Sequence, residues 1–205
     1  DKLQSLAEAG IDRVIVEHFN ARFAALSPAS FIQDILVEGL QVKWLIVGDD
    51  FRFGAKRAGD FDIAGKVLSQ ATDIMTRKLI AFFIEQHGAA PMGYCWVVYG
   101  SQAREDQTMG SDQDNSLLLA HTPNEDEAEY FKQMADYVCK GLGKCGIKLC
   151  DGNIMASNPE LRLSVDDAVA QAKKWINQPT PEAILAFNIF LDARAVEGDR
   201  ALFKN

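Results

Sequence analysis

Cys95-Trp96-Val97-Val98-Tyr99 runs into Gly100-Ser101, and eleven residues after Ser101 comes Asp112-Gln113-Asp114-Asn115, followed by Ser116-Leu117-Leu118-Leu119-Ala120. The first and last pieces read as apolar strands. Between them lies a polar stretch rich in Gly, Ser and Asp. Successive strand residues alternate faces, so carboxylates at i and i+2 point to the same side. Such a pair suits a hard divalent cation. The upstream Gly-Ser turn offers small residues and backbone N–H groups to a phosphate. Together they fit a metal–triphosphate complex. The same residues also fit an ordinary loop, with Asp112 and Asp114 as turn formers and Ser111 as a loop hydroxyl.

The rest of the chain sets limits. It has 205 residues, 48% hydrophobic and 24% charged, with net charge −8. That fits one large or two small domains with a sizeable core. The acidic balance argues against a nonspecific nucleic-acid binder. No apolar run is long enough to span a membrane. Asp1-Lys2-Leu3-Gln4 does not read as a signal peptide. Cys95, Cys139, Cys145 and Cys150 form no zinc spacing, and a reducing cytoplasm is expected.

Several helices announce themselves. Ile63 to Gln86 carries spaced apolar residues and ends before Gly88, which predicts a long amphipathic helix. Glu125 to Lys140 reads as a helix capped by Asn124 with an acidic first turn. Val165 to Ile176 and Pro181 to Phe187 read as two more. In the first sixty residues, Ile11 to His18 reads as a strand, Ser27-Pro28 opens a helix to Leu40, and Val42 to Val47 reads as a buried strand. This alternation predicts a parallel α/β unit. Gly48-Asp49-Asp50-Phe51-Arg52 then lies at the carboxyl end of a strand, where α/β sheets bind ligands.

The run from Gly100 to Asn115 resembles the signature of the DNA polymerase β-type nucleotidyltransferases. It is most similar to the nucleotidyltransferase domain that bacteria couple to cyclic-nucleotide-binding and CBS modules, a relative of the PII-protein uridylyltransferases. Gly100, Ser101, Arg104, Gln107, Thr108, Asp112, Gln113, Asp114 and Asn115 match its usual run. Ala103 stands in place of a glycine, Asp106 of a glutamate and Ser111 of a threonine. Ala103 matters if its position needs positive φ. The resemblance continues through Cys150 to Pro159 and Phe190 to Asp199.

This resemblance implies transfer of a nucleoside monophosphate from an NTP to an acceptor hydroxyl, on a small molecule or a protein, with release of pyrophosphate. It implies Mg²⁺ or Mn²⁺ on Asp112 and Asp114, with Asp192 as third acid on a strand spanning residues 189–196. Gly100, Ser101 and Arg104 would face the triphosphate. Arg194 would either face it too or lock Asp192. Asp106 would pair with Arg104, and the 150–159 loop would border the nucleotide or acceptor.

Gly48 to Gly54, with Lys56-Arg57-Ala58-Gly59-Asp60 after it, resembles the FMN-adenylyltransferase module of bacterial bifunctional riboflavin kinase/FAD synthetase. Nothing in the chain matches that module's upstream G-x-F-D-G-x-H-x-G-H motif. The expected organisation is therefore an α/β fragment at 1–62 joined to a nucleotidyltransferase-like domain at 63–205: a mixed sheet with flanking helices, preceded by a short Rossmann-like piece. The junction fits an engineered chimera, a generated sequence or a natural fusion. Flavin-nucleotide binding through residues 48–52, and a non-catalytic scaffold, are the competing functions.

Overall fold

The fold is described from a computed structural model, which covers residues 2–42, 52–55, 61–108, 110–178 and 180–204. Its centre is strand β1 (Tyr94–Tyr99), in which every residue is buried. β1 has two antiparallel neighbours, β2 (Asn115–Leu119) and β4 (Ala193–Gly198), and β2 pairs in parallel with the short β3 (Arg162–Ser164). The result is a four-stranded mixed sheet in the order β3-β2-β1-β4. Strand alternation splits β1 between two apolar clusters. Tyr94, Trp96 and Val98 join the main core, while Cys95, Val97 and Tyr99 face a smaller one.

The main core is closed by two helices. The predicted long helix is present as α4 (Phe61–His87), and it buries Ile80 and Phe83. The capped helix is α6 (Glu125–Lys144), which buries Phe131, Met134, Val138 and Leu142. Asn124 accepts from the Glu127 N–H while Glu127 accepts from the Asn124 N–H, a reciprocal capping box. The second face of the sheet meets α7 (Val165–Asn177), α8 (Pro181–Leu191) and the short α9 (Ala201–Lys204). Among the described residues, no helix is long and apolar enough to cross a membrane.

The N-terminal part differs from its expectation. It contains α1 (Lys2–Glu8), α2 (Ala21–Ala24) and α3 (Pro28–Ser30), the last running into a π-helix over Phe31–Gly39. The predicted start and end of that last helix hold: Ser27 caps it through the Ser30 N–H, and Leu40 closes it. The predicted strand from Ile11 to His18 does not form. That segment is coil outside any element, with Ile15 62% and Val16 78% exposed. A strand needs a partner for its N–H and C=O groups, and none of the described residues supplies one. The strand expected from Val42 to Val47 falls almost wholly outside the described residues, as do Gly48, Asp49, Asp50 and Phe51.

Candidate active site

The topology gathers the signature residues at one edge of the sheet. β2 and β4 both begin where β1 ends, since Val98 pairs with Asn115 and Tyr99 with Ala193. Asp114 and Asp192, one residue before those strands, therefore flank Gly100 from either side. Backbone bonds fix both: Tyr99 N–H donates to Asp114 O at 3.0 Å and Gly100 N–H to Asp192 O at 3.2 Å. The Gly100 N–H is thus engaged, contrary to the expectation of a free donor there. The N–H groups of Ser101 and Gln102 lie in the first turn of α5 (Gly100–Arg104), where a helix has no acceptors of its own.

Gly100 is favoured by its backbone conformation. Its φ is +54°, in the region that L side chains avoid. A Cβ there would also sit 3.2 Å from the Asp114 Oδ2. The expected concern about Ala103 does not arise, because it lies within α5 and the left-handed residue is Glu105, at φ 62°. A second glycine, Gly65, lets α4 approach the signature loop; a Cβ would meet the Asp106 Cα at 2.9 Å.

The alternation across Asp112-Gln113-Asp114-Asn115 explains how the two carboxylates come together. Gln113 and Asn115 point inward. Gln113 donates to the carbonyls of Cys139 at 3.1 Å and Ile147 at 3.0 Å. Asn115 accepts from the Ala156 N–H at 2.8 Å. With these amides locked in the core, Asp112 and Asp114 turn to the opposite side. There they line one cavity with Gly100, Arg104, Cys150, Gly152, Asn188 and Asp192. The cavity measures about 460 Å³.

Its electrostatics are uneven. Burial raises the Asp114 carboxyl above its ordinary range, and the Asp112 charge adds to the rise, while a hydrogen bond with the Cys150 thiol opposes it. Asp192 is half exposed and paired with Arg104, whose Nη1 donates to its Oδ2 at 2.8 Å. Arg104 also holds Asp106 at 2.9 Å, as expected, and both carboxylates raise the guanidinium's affinity for its proton. Among the described residues, no three His, Cys, Asp or Glu converge as a ready-made ion cage. Asp112 and Asp114 nonetheless suit a divalent cation: both are hard oxygen donors on a shared open wall, and like-charge repulsion raises the cost of ionising Asp114 without a cation.

Two expectations are corrected. Asp192 does not lie within a strand from 189 to 196. Residues 181–191 are helical, Asp192 ends that helix with φ −91° and ψ 84°, and β4 starts at Ala193. Asp192 and Arg194 therefore do different things. Arg194 meets neither the cavity nor Asp192. It reaches Asp73 on α4, with Nη1 to Oδ2 at 2.5 Å, and donates to the carbonyls of Gln102 at 2.8 Å and Ala103 at 3.3 Å. Gln102 donates to the same Asp73 at 3.0 Å. This part-buried network fastens α5 to α4 and β4, and so fixes the helix that carries Arg104.

Cys150, Gly152 and Ile154 put one side of the 150–159 loop at the cavity. Asp151 instead pairs with Lys148 at 2.6 Å, and Asn158 caps the 3₁₀ turn Pro159–Leu161. Asn188 and Asp73 were not singled out by the sequence. Asn188 sits in an apolar helix without a motif, and Asp73 is an unremarked acid on a long helix. Of residues 48–52 only Arg52 is described, and it is exposed.

The family model described as "Putative nucleotidyltransferase DUF294" matches residues 54–182. The chain belongs to this family. The match includes Gly100, Arg104, Asp112, Asp114 and Cys150, whereas Asp192 and Arg194 lie beyond it. A second model, that of FAD synthetase, matches residues 1–89, so both likenesses read from the sequence are found, and they overlap over 54–89. The bifunctional riboflavin kinase/FMN adenylyltransferase of Escherichia coli K12 is 59% identical over 61 residues, 30% of this chain and 20% of that protein. The Pseudomonas fluorescens protein of the same name is 57% identical over 53 residues, 26% of this chain and 17% of its own. That of Haemophilus influenzae is 48% identical over 61 residues, 30% and 20% respectively. The chain spans about a fifth of the length of these relatives.

Proposed function

We propose that the cavity at the end of β1 is a metal-dependent nucleotidyl-transfer site. The observation that carries the reading is that Asp112, Asp114, Arg104 and Asp192 line one cavity beside Gly100. In this reading Asp112 and Asp114 hold Mg²⁺ or Mn²⁺. Bound there, the cation supplies charge neutralisation on the phosphoryl oxygens. Arg104 exchanges its carboxylate partners for the triphosphate, since guanidinium matches phosphate geometry. That exchange frees Asp192 to turn towards the first two acids as the third carboxylate. Ser101, in the first turn of α5, faces the phosphates with its backbone N–H. The acceptor hydroxyl oxygen attacks the α-phosphorus, the bond from that phosphorus to the bridging oxygen of the β-phosphate breaks, and pyrophosphate leaves. The hydroxyl proton passes to a carboxylate, with Asp192 the residue assigned. Arg194 is a positioning residue that keeps α5 in place. The organisation we propose places this domain at 63–205, after an N-terminal unit at 1–62.

Manganese binding tests the site without knowledge of the acceptor. The electron paramagnetic resonance signal of free Mn²⁺ should fall as wild-type chain is added, more so with ATP present. Asp112→Asn/Asp114→Asn should leave the signal unchanged while keeping the wild-type circular dichroism. Equal Mn²⁺ uptake by the two proteins would sink the assignment.

A second reading rests on the identity with FMN adenylyltransferases over the N-terminal third. It holds that the first unit binds a flavin nucleotide through residues 48–52. Quenching of FMN fluorescence on titration with the chain supports it, and unchanged fluorescence at saturating protein removes it.

A further inference from the structure

The second face of the sheet carries a cavity that the transfer chemistry does not use. It measures about 290 Å³ and lies between β1, β2 and helices α7 to α9. Its wall is almost entirely apolar and aromatic. Trp175 of α7 stacks on Phe190 of α8 with ring centroids 5.2 Å apart and planes 23° from parallel. Ala168 and Ala172, one helical turn apart on α7, leave the space that longer side chains would fill. An apolar cavity of this size, if empty, costs stability in proportion to its volume.

Gln171 of α7 and one hydroxyl pair break the apolar wall. Tyr99 and Ser116 are 6% and 4% exposed, and their hydroxyls lie 2.6 Å apart. Two hydroxyls bring two O–H protons, and their mutual bond uses one. Whichever hydroxyl accepts still has a proton to donate. Small-molecule sites share this composition: an apolar, aromatic enclosure with few polar groups that fix orientation.

We infer that this cavity is a binding site for a small aromatic molecule bearing one hydrogen-bond acceptor, such as a carbonyl oxygen, seated against Trp175 and Phe190 and bonded by the Tyr99–Ser116 pair. Tyr99, Phe190 and Ala193 line it, while their chain neighbours Gly100, Ile189 and Asp192 line the candidate active site. The ligand therefore sits beside the transfer site, but its binding does not depend on that site being catalytic.

Acetophenone, an aromatic ketone of suitable size, is the probe. Nuclear magnetic resonance titration of the full chain should show saturable one-to-one binding, with shifts in residues of α7, β1 and β2. Ala172→Phe fills the cavity from α7 and should weaken binding at least tenfold while keeping the wild-type circular dichroism. Tyr99→Phe/Ser116→Ala removes both hydroxyls together, a change that leaves no orphaned group, and should weaken binding about threefold to tenfold. Absence of saturable binding to the folded wild type would overturn the inference. So would wild-type affinity in Ala172→Phe. Unchanged affinity in the double variant would overturn the assigned ligand class.

Discussion

Two segments with the same kind of sequence meet different fates in this molecule. Ile11 to His18 and Tyr94 to Tyr99 are both short runs rich in β-branched or aromatic residues. The second is a fully buried central strand with antiparallel partners on both edges. The first is coil, with Ile15 and Val16 exposed. Local propensity is the same order in both, so it does not decide between them. Long-range partners do. The contrast extends to helices: α6 buries six side chains against the sheet, whereas α2 and α3 bury none.

Core truncation sharpens this contrast most. Phe131→Ala, in the main core, should cost about 3–5 kcal/mol in denaturant unfolding. Val16→Ala, in the exposed segment, should change stability by less than about 0.5 kcal/mol. Comparable losses would mean that the N-terminal segment packs in solution as the body does. The Asp73 network comes next. Asp73→Ala strips Arg194 of its partner across α4 and β4 and should cost about 3 kcal/mol, read in the same assay.

Capping gives a smaller effect on matched chemistry. Asn124 and Asn20 each accept an N–H three residues on. Asn124→Ala should cost about 1 kcal/mol because α6 is part of the cooperative fold. Asn20→Ala should cost less than about 0.5 kcal/mol, because α2 is a single turn without buried residues. Equal costs would erase the distinction between the regions.

The smallest effect carries a sign. Burial and the charge of Asp112 lift the folded-state pKa of Asp114 above its unfolded value. The fold then favours the protonated form, and ionisation works against it as pH rises. Asp114→Asn cannot ionise. It should melt above the wild type near neutral pH, with the gain fading as pH falls through the raised Asp114 value and gone below the ordinary carboxylate range. A variant that melts lower at neutral pH would show that the Asp114 charge stabilises the fold.

The legible part of the fold is the part whose signals are local and whose partners exist. The span of α4, the Asn124 cap and the strand β1 could all be read from spacing. So could the shared face of Asp112 and Asp114, because alternation is a property of the chain alone. Asp192 lines the same cavity as Asp112 and Asp114, but it ends a helix instead of lying in a strand. The apolar run before it has no breaker, so the end of α8 and the start of β4 carry no local mark. Arg194 was misassigned because its partner, Asp73, is 121 residues away, and no spacing rule reaches that far. Asn188 reaches the cavity through tertiary packing, which leaves the sequence around it ordinary. The strand predicted at Ile11 shows the converse: a clear local signal without a neighbour to complete it.

Calorimetric titration with ATP, UTP, CTP and GTP, with and without Mg²⁺, tests the proposed site most directly. The account predicts binding that requires Mg²⁺, favours one base, and disappears in Asp112→Asn/Asp114→Asn while the fold survives. Nucleotide binding that is unchanged without the metal or in the double variant would contradict it, as would a folded wild type that binds none of the four.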